Sequence, residues 1–226
     1  MRKYLYIILC VLGVASCSAG EFDVRDMYSG NYPEDISGEF LAILTVKKSA
    51  LDTVYFQLND STTIYPANYQ NKYTRMERVF CDIMAWEKRT GSYNHSCNVE
   101  WAESIEEGTV VPAGSPSGKD YIDVLDDWMT SVEDGYLTVH YDVWWGTNPT
   151  AHGFSVVTGT DPEDPYVLHL RHDARGDAKD EKADGLVCFD INSLPSTEGK
   201  YKILTLKWYN LGGSASEKKF KFKTRE

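Results

Sequence analysis

The chain has 226 residues, 42% of them apolar and 25% charged, with a formal charge of −11. That excess of acids repels phosphate backbones and excludes nucleic acid as the expected partner. The apolar share and the length suit one large or two small folded domains, not a disordered or collagenous chain.

The first residues read MRKYLYIILCVLGVASC. Arg2 and Lys3 form a basic start, and Tyr4 to Val14 is an apolar run too short to span a bilayer. Val14, Ala15 and Ser16 precede Cys17. This order resembles the lipobox of bacterial lipoproteins. It implies a signal peptide over 1–16, with Cys17 becoming the acylated first residue. Residues 17–37 are polar, acidic and punctuated by Gly and Pro, which reads as a tether. The address expected is an outer-membrane lipoprotein, on the periplasmic face or the cell surface, held by its lipid.

Strand signals dominate the rest of the chain. EFLAILTVKK is a continuous apolar run, and DTVYFQLND alternates Val54, Phe56 and Leu58 on one face. STTIYPANY comes next and should end at Pro66. RMERVFCDIMAWEK and NHSCNVEWAESI make a hairpin pair. Five strands by Glu106 suit a small OB-like barrel, assigned to residues 38–112. EEGTVVPAGSPSGKD, rich in Gly and Pro, reads as the break between domains.

The second domain is assigned to residues 119–226. Ile122, Leu125 and Met129 have helical spacing over about two turns, while Trp128, Thr130 and Val132 suit a strand. YLTVHYDVWWG, GFSVVTG, YVLHLRH, GLVCFDINSL, YKILTLKWYN and KKFKFKTR are six further strands with turns at sandwich-like intervals. The last alternates Lys with Phe and reads as a charge-guarded edge. The fold class expected is all-β: a small N-terminal OB-like barrel followed by a C-terminal antiparallel β-sandwich.

FQLNDSTTIYPAN, VEDGYLTVHYDVWWG, TGTDPEDPYVLHLRHDARGDA and SLPSTEGKYKILTLKWYN resemble the NigD-like lipoproteins of Bacteroidetes. The resemblance covers nearly the whole mature chain. It implies an OB-like domain followed by a β-sandwich, and a role related to bacteriocin immunity. It brings no catalytic residues.

Residue by residue, chemistry is sparse. Cys81 and Cys97 lie equidistant from Arg89, in the turn KRTGSYN, which would place them opposite each other in a hairpin. A disulfide and two buried free thiols are both open. Cys188 reads as a small core residue. His172, Asp173 and Asp177 are candidate metal ligands. Asp173, Asp177, Asp180 and Asp184 carry the oxygens Ca²⁺ favours, off the EF-hand spacing, and a solvated turn is the reading preferred for them. His169 and His172 differ by three and should point to opposite faces of a strand. Trp144 and Trp145 are adjacent, so one faces out, where beside Tyr141 or His152 it could stack on a sugar; packing is the alternative for both. Thr53 and Ser61 each follow Asp in short motifs resembling bacterial O-glycosylation sites. No G-x-S-x-G, H-E-x-x-H or P-loop occurs, so a non-enzymatic protein without a cofactor is expected. Its partners would be the membrane, through the lipid, and a protein or a glycan.

Overall fold

The computed structural model describes residues 36–86 and 89–225, and all regular structure there is β. Cys17 and the signal peptide lie outside the described residues. The expected tether ends earlier than 37, because Ile36 is already fully buried in the first core.

Five strands form a closed barrel: β1 (Gly38–Lys48), β2 (Val54–Gln57), β3 (Thr63–Pro66), β4 (Glu77–Trp86) and β5 (His95–Ser104). Their order is β1-β2-β3-β5-β4. Closure comes from the parallel pairing of β3 with β5, Ile64 opposite His95. Alternate residues point inward, so Ala42, Leu44, Val46, Phe56, Val79, Cys81 and Ile83 meet in one core. Each large side chain buried there contributes about 1.5–3 kcal/mol.

The sandwich has two sheets. One runs β6 (Glu106–Glu107), β13 (Glu181–Asp190), β10 (Tyr136–Trp145), β8 (Asp123–Val124), with β9 (Ser131–Glu133) also on β10. The other runs β15 (Ala215–Phe222), β14 (Lys202–Tyr209), β12 (Val167–Asp173), β11 (Gly153–Thr158), β7 (Thr109–Pro112). Pairing is antiparallel except at β6–β13, β7–β11 and β12–β14. Leu137, Val139, Tyr141 and Val143 of β10 face Phe154, Leu168, Leu204 and Phe222 across the interior.

Three expectations change. Residues 106–112 are not the end of the barrel or a linker. β6 pairs with β13 and β7 with β11, so the sandwich begins directly after Ile105. The helical spacing at Ile122, Leu125 and Met129 gives no helix; the segment is β8, a turn and β9. Residues 181–184 are not loop but the start of β13, with Asp184 opposite Asp142.

The two domains meet through a small core. Ile43, Phe80 and Ile105 of the barrel pack with Tyr136 and Cys188 of the sandwich. Arg78 is buried there, donating to Thr45 Oγ1 at 3.0 Å. Arg78 and Arg225 both lie over the Tyr136 ring, at 5.9 and 4.8 Å. Lys47 of the barrel pairs with Asp134 of the sandwich at 2.9 Å.

Candidate functional site

The segment before β8 runs back across the end of β12. Asp120 N–H donates to the His172 carbonyl at 2.9 Å, and the Asp120 carboxylate accepts from Ala174 N–H at 2.8 Å. This contact requires glycine: a Cβ at Gly118 would lie 2.0 Å from the His172 carbonyl oxygen. Ile122 N–H donates to Tyr209 O, and Leu211 N–H to Asp123, which fixes the β14–β15 turn beside the same segment. Gly213, at φ +81°, completes that turn next to the Tyr121 ring.

A cleft of about 340 Å³ opens between these pieces, lined by Ser117, Gly118, Lys119, Tyr121, Arg171 and Tyr209. Tyr121 and Tyr209 are each 47% exposed. Over Tyr121 the cleft adjoins a smaller hollow of about 50 Å³, bordered by Trp144, Lys179 and Leu211 and reaching down to His172. Tyr121 and Tyr209 thus stand at the cleft with Lys119 and Arg171, while Trp144 and Lys179 border the separate hollow on the other side of Tyr121. Such a set can stack on a planar or sugar-like surface and pair with an anionic group.

Beneath the cleft lies a buried histidine chain. His172 Nδ1 donates to the Tyr121 carbonyl at 3.1 Å, since a carbonyl only accepts. His172 Nε2 meets His152 Nδ1 at 2.9 Å, and His152 Nε2 meets the Asp177 carboxylate at 3.1 Å. Trp145 stacks on His152 at 3.9 Å and 10°, and Phe154 on His172 at 5.2 Å. Three contacts run through two imidazoles, so all are filled only when the pair holds one proton beyond neutrality. Burial opposes that proton, pulling His172 down to about 4 with the help of neighbouring His152. His152 is lowered too, again chiefly by burial, against the pull of Asp177.

A second histidine has the opposite setting. His140 Nδ1 lies 2.6 Å from Asp127 and its Nε2 3.0 Å from Asp184. Both contacts carry hydrogen only in the imidazolium. Burial opposes the charge, but the bonds to the two carboxylates outweigh it and the pKa is raised. Asp127 sits next to Trp128, which approaches Phe80 of the barrel at 6.1 Å. The clamp thus ties the sandwich to the loop that covers the domain junction.

Compared with known proteins, residues 43–105 match the NigD-like N-terminal OB domain, and residues 110–222 match the NigD-like C-terminal beta sandwich domain. The chain belongs to the NigD-like family. No curated protein matches it. A solved protein described as toxin-related, from Parabacteroides distasonis, is 25% identical, covers 82% of this chain and 93% of its own, and has a TM-score of 0.67. A NigD-like immunity protein from Bacteroides caccae is 18% identical over 81% and 93%, with a TM-score of 0.56. One described as a lipoprotein, from Bacteroides fragilis, is 11% identical over 83% and 100%, with a TM-score of 0.60.

In this NigD-like chain the expected site residues disperse. Asp173 turns to cap Arg175 N–H, and no group of metal-ligating side chains forms among the described residues. His172 and Asp177 do not converge on an ion; they are the two ends of the chain through His152. Trp144 faces out at 38% exposure, while one face of Trp145 is covered by His152, so Trp145 is packing and not a platform. Cys81 and Cys97 are free, which corrects the disulfide alternative. The hairpin register puts Cys97 opposite Ala85 and Cys81 opposite Ala102, so the cysteines are not partners. Burial raises both thiols, that of Cys97 to about 12. Thr53 is half-buried, with its N–H on Ser49, and exposed Ser61 is held by Asn59 in the β2–β3 turn. Tyr121, Tyr209, Lys119 and Arg171 had no marker in the sequence. Exposed tyrosines in loops look alike until the fold sets them side by side.

Proposed function

We propose that this NigD-like protein is a lipid-anchored envelope protein that binds a partner and performs no chemistry of its own. One observation carries the reading: Tyr121 and Tyr209 stand open at a cleft on the sandwich, and Trp144 is open at the smaller hollow beside Tyr121. The strongest titratable groups nearby, His152 and His172, are turned inward and hydrogen-bonded to one another and to the fold. Large aromatics left in water at a concave site favour recognition. The name of the Bacteroides caccae neighbour supports an immunity-type role with a protein partner. The Bacteroides fragilis neighbour and the lipobox at Cys17 support an acylated protein of the outer membrane, facing the periplasm or the cell surface.

A photo-crosslinking residue at position 121, in the full chain in cells, should give a discrete protein adduct. That adduct should disappear with Tyr209→Ala. No adduct from position 121, with one from a barrel position instead, would move the site elsewhere. Palmitate incorporation lost in Cys17→Ala tests the anchor.

A glycan partner is the second reading, favoured by the exposed indole of Trp144 next to Tyr121. Saturable binding of an envelope glycan, lost at least tenfold in Trp144→Ala, would put it first.

A further inference from the structure

The outer face of the β15-β14-β12-β11-β7 sheet carries charge of the sign opposite to the whole chain. Residues directly opposite in a ladder share a face. Ile203 lies opposite Lys221, Thr205 opposite Lys219, and Lys207 opposite Glu217. Lys207 also pairs with His169, and Arg171 with Ser155. The alternate positions Leu204, Leu206 and Phe222 fill the core, so this set points outward. Arg171, Lys207, Lys219 and Lys221 therefore share one face in a chain of net charge −11.

Little on the face neutralises them. Its strand acids are Glu217 and, at the far end of β12, Asp173, and at the Tyr201 edge Asp60 and Glu133 come near. No salt bridge to Arg171, Lys207 or Lys221 forms among the described residues, and Lys219 reaches Glu217 only at 3.9 Å. His169, in the middle, has its proton disfavoured by burial and then by Arg171 and Lys207. Between and beside the cations stand Ile203, 56% exposed, the open ring of Tyr209, and Tyr201 with Lys223 over its ring at 5.5 Å. Unpaired like charges on one sheet repel, so the folded chain alone gives no reason to gather them.

We infer that this sheet face docks on an anionic lipid surface. Charge complementarity is the first argument. Extent is the second: five strands, each about 4.8 Å from the next, spread the cations across one sheet, and the cleft lined by Arg171 and Tyr209 opens at one end of it. The residue types are the third. Lysines are point charges on flexible stems that can follow mobile headgroups, whereas fixed carboxylates are best met by arginine forks. Ile and Tyr supply the apolar bodies that settle at the headgroup boundary. The inference rests on the lipid-anchored reading in one respect. The stretch from Cys17 to Ile36 spans at most about 65 Å, so an acylated chain stays within reach of the bilayer. Lipid and basic face then make two signals, and two anchor where one alone is marginal.

The test uses residues 18–226, which keep every described strand and carry no lipid. The probes are phosphatidylcholine vesicles with and without phosphatidylglycerol. Binding is expected only with phosphatidylglycerol, falling as salt rises. Each cation removed should cost about fivefold. Lys207→Glu/Lys221→Glu, reversing two surface charges without touching the core, should therefore lose at least ~25-fold with an unchanged melting temperature. Lys72→Glu/Arg89→Glu changes net charge equally but lies in the barrel, and should stay within about twofold of the parent. Equal losses in both variants, or no binding to phosphatidylglycerol vesicles, would overturn the inference. So would binding to immobilised poly-glutamate without vesicle binding, which would give the face to an acidic protein. Failure of Cys17 acylation would remove the anchor and leave this vesicle result standing, so the two outcomes are separable.

Discussion

His140 and His172 belong to the same sandwich, at 7% and 2% exposure, yet their protons are held in opposite ways. His140 lies on the outer face of one sheet, where two carboxylates reach it from β13 and from the β8–β9 turn. His172 lies on the inner face of the other sheet, against Phe154, and meets a carbonyl and a second histidine. Burial opposes both charges. Two carboxylates reverse the outcome at His140; the carboxylate nearest along the bonds from His172, that of Asp177, is one ring away, on His152. Depth alone does not set a histidine's charge. The count and distance of its acids do.

The largest expected difference is in stability. His172→Ala should cost about 3–5 kcal/mol in urea unfolding, because it empties a packed site and strands the Tyr121 carbonyl and His152. His140→Ala should cost about 1–2 kcal/mol, since Asp127 and Asp184 are each about a third exposed and water can replace the ring. Equal costs would break the comparison.

The pH dependence comes next. The unfolded His172 takes a proton near 6.5, the folded one only near 4. The unfolded state therefore binds more protons between these values, and stability falls as pH drops through that window. The loss from His172 should be about 3 kcal/mol, and His172→Gln should leave only the part owed to the lowered His152 and His169. His140 runs the other way. Its raised pKa adds stability that is complete below the unfolded value and is lost as pH rises through the folded one. Urea midpoints measured from acid to alkaline pH would show a maximum flanked by two losses, the acid one reduced by His172→Gln and the alkaline one removed by His140→Ala.

A smaller effect isolates the cause. Asp184→Asn should lower the His140 midpoint in ring ¹⁵N NMR titrations and leave that of His172 in place. A shift at both would mean one coupled network instead of two. Smallest of all, Trp144→Ala should change stability by less than about 0.5 kcal/mol, because its indole faces solvent. A larger loss would show that the cleft aromatics support the fold, and would weaken their reading as a binding surface.

Much of the fold was legible. Alternation at Val54, Phe56 and Leu58, and at Leu137, Val139, Tyr141 and Val143, named the buried faces correctly. The Lys/Phe alternation of β15 correctly marked an edge strand. EEGTVVP was misread because β6 and β7 are short, half-exposed strands whose only signal is the ladder each joins. The cysteine pairing failed on register. The hairpin closes about Gly91 and not Arg89, and a bulge between Asp82 and Ile83 shifts the ladder again. The candidate site was hardly legible. His152, His172 and Asp177 meet across separations of 20 and 25 residues, and Tyr121 and Tyr209 across the whole sandwich.

The sequence by itself determined the all-β class, the inward and outward residues of the long strands, and the acidic balance. These depend on local period and composition, which neighbouring residues carry between them. Only the tertiary structure decided that the sandwich starts at Glu106, that both barrel cysteines are free, that the proton of one buried histidine is favoured and that of another opposed, and that four cations share one face. Each of these depends on which strand lies beside which, and strand pairing is chosen by the burial of the whole chain at once.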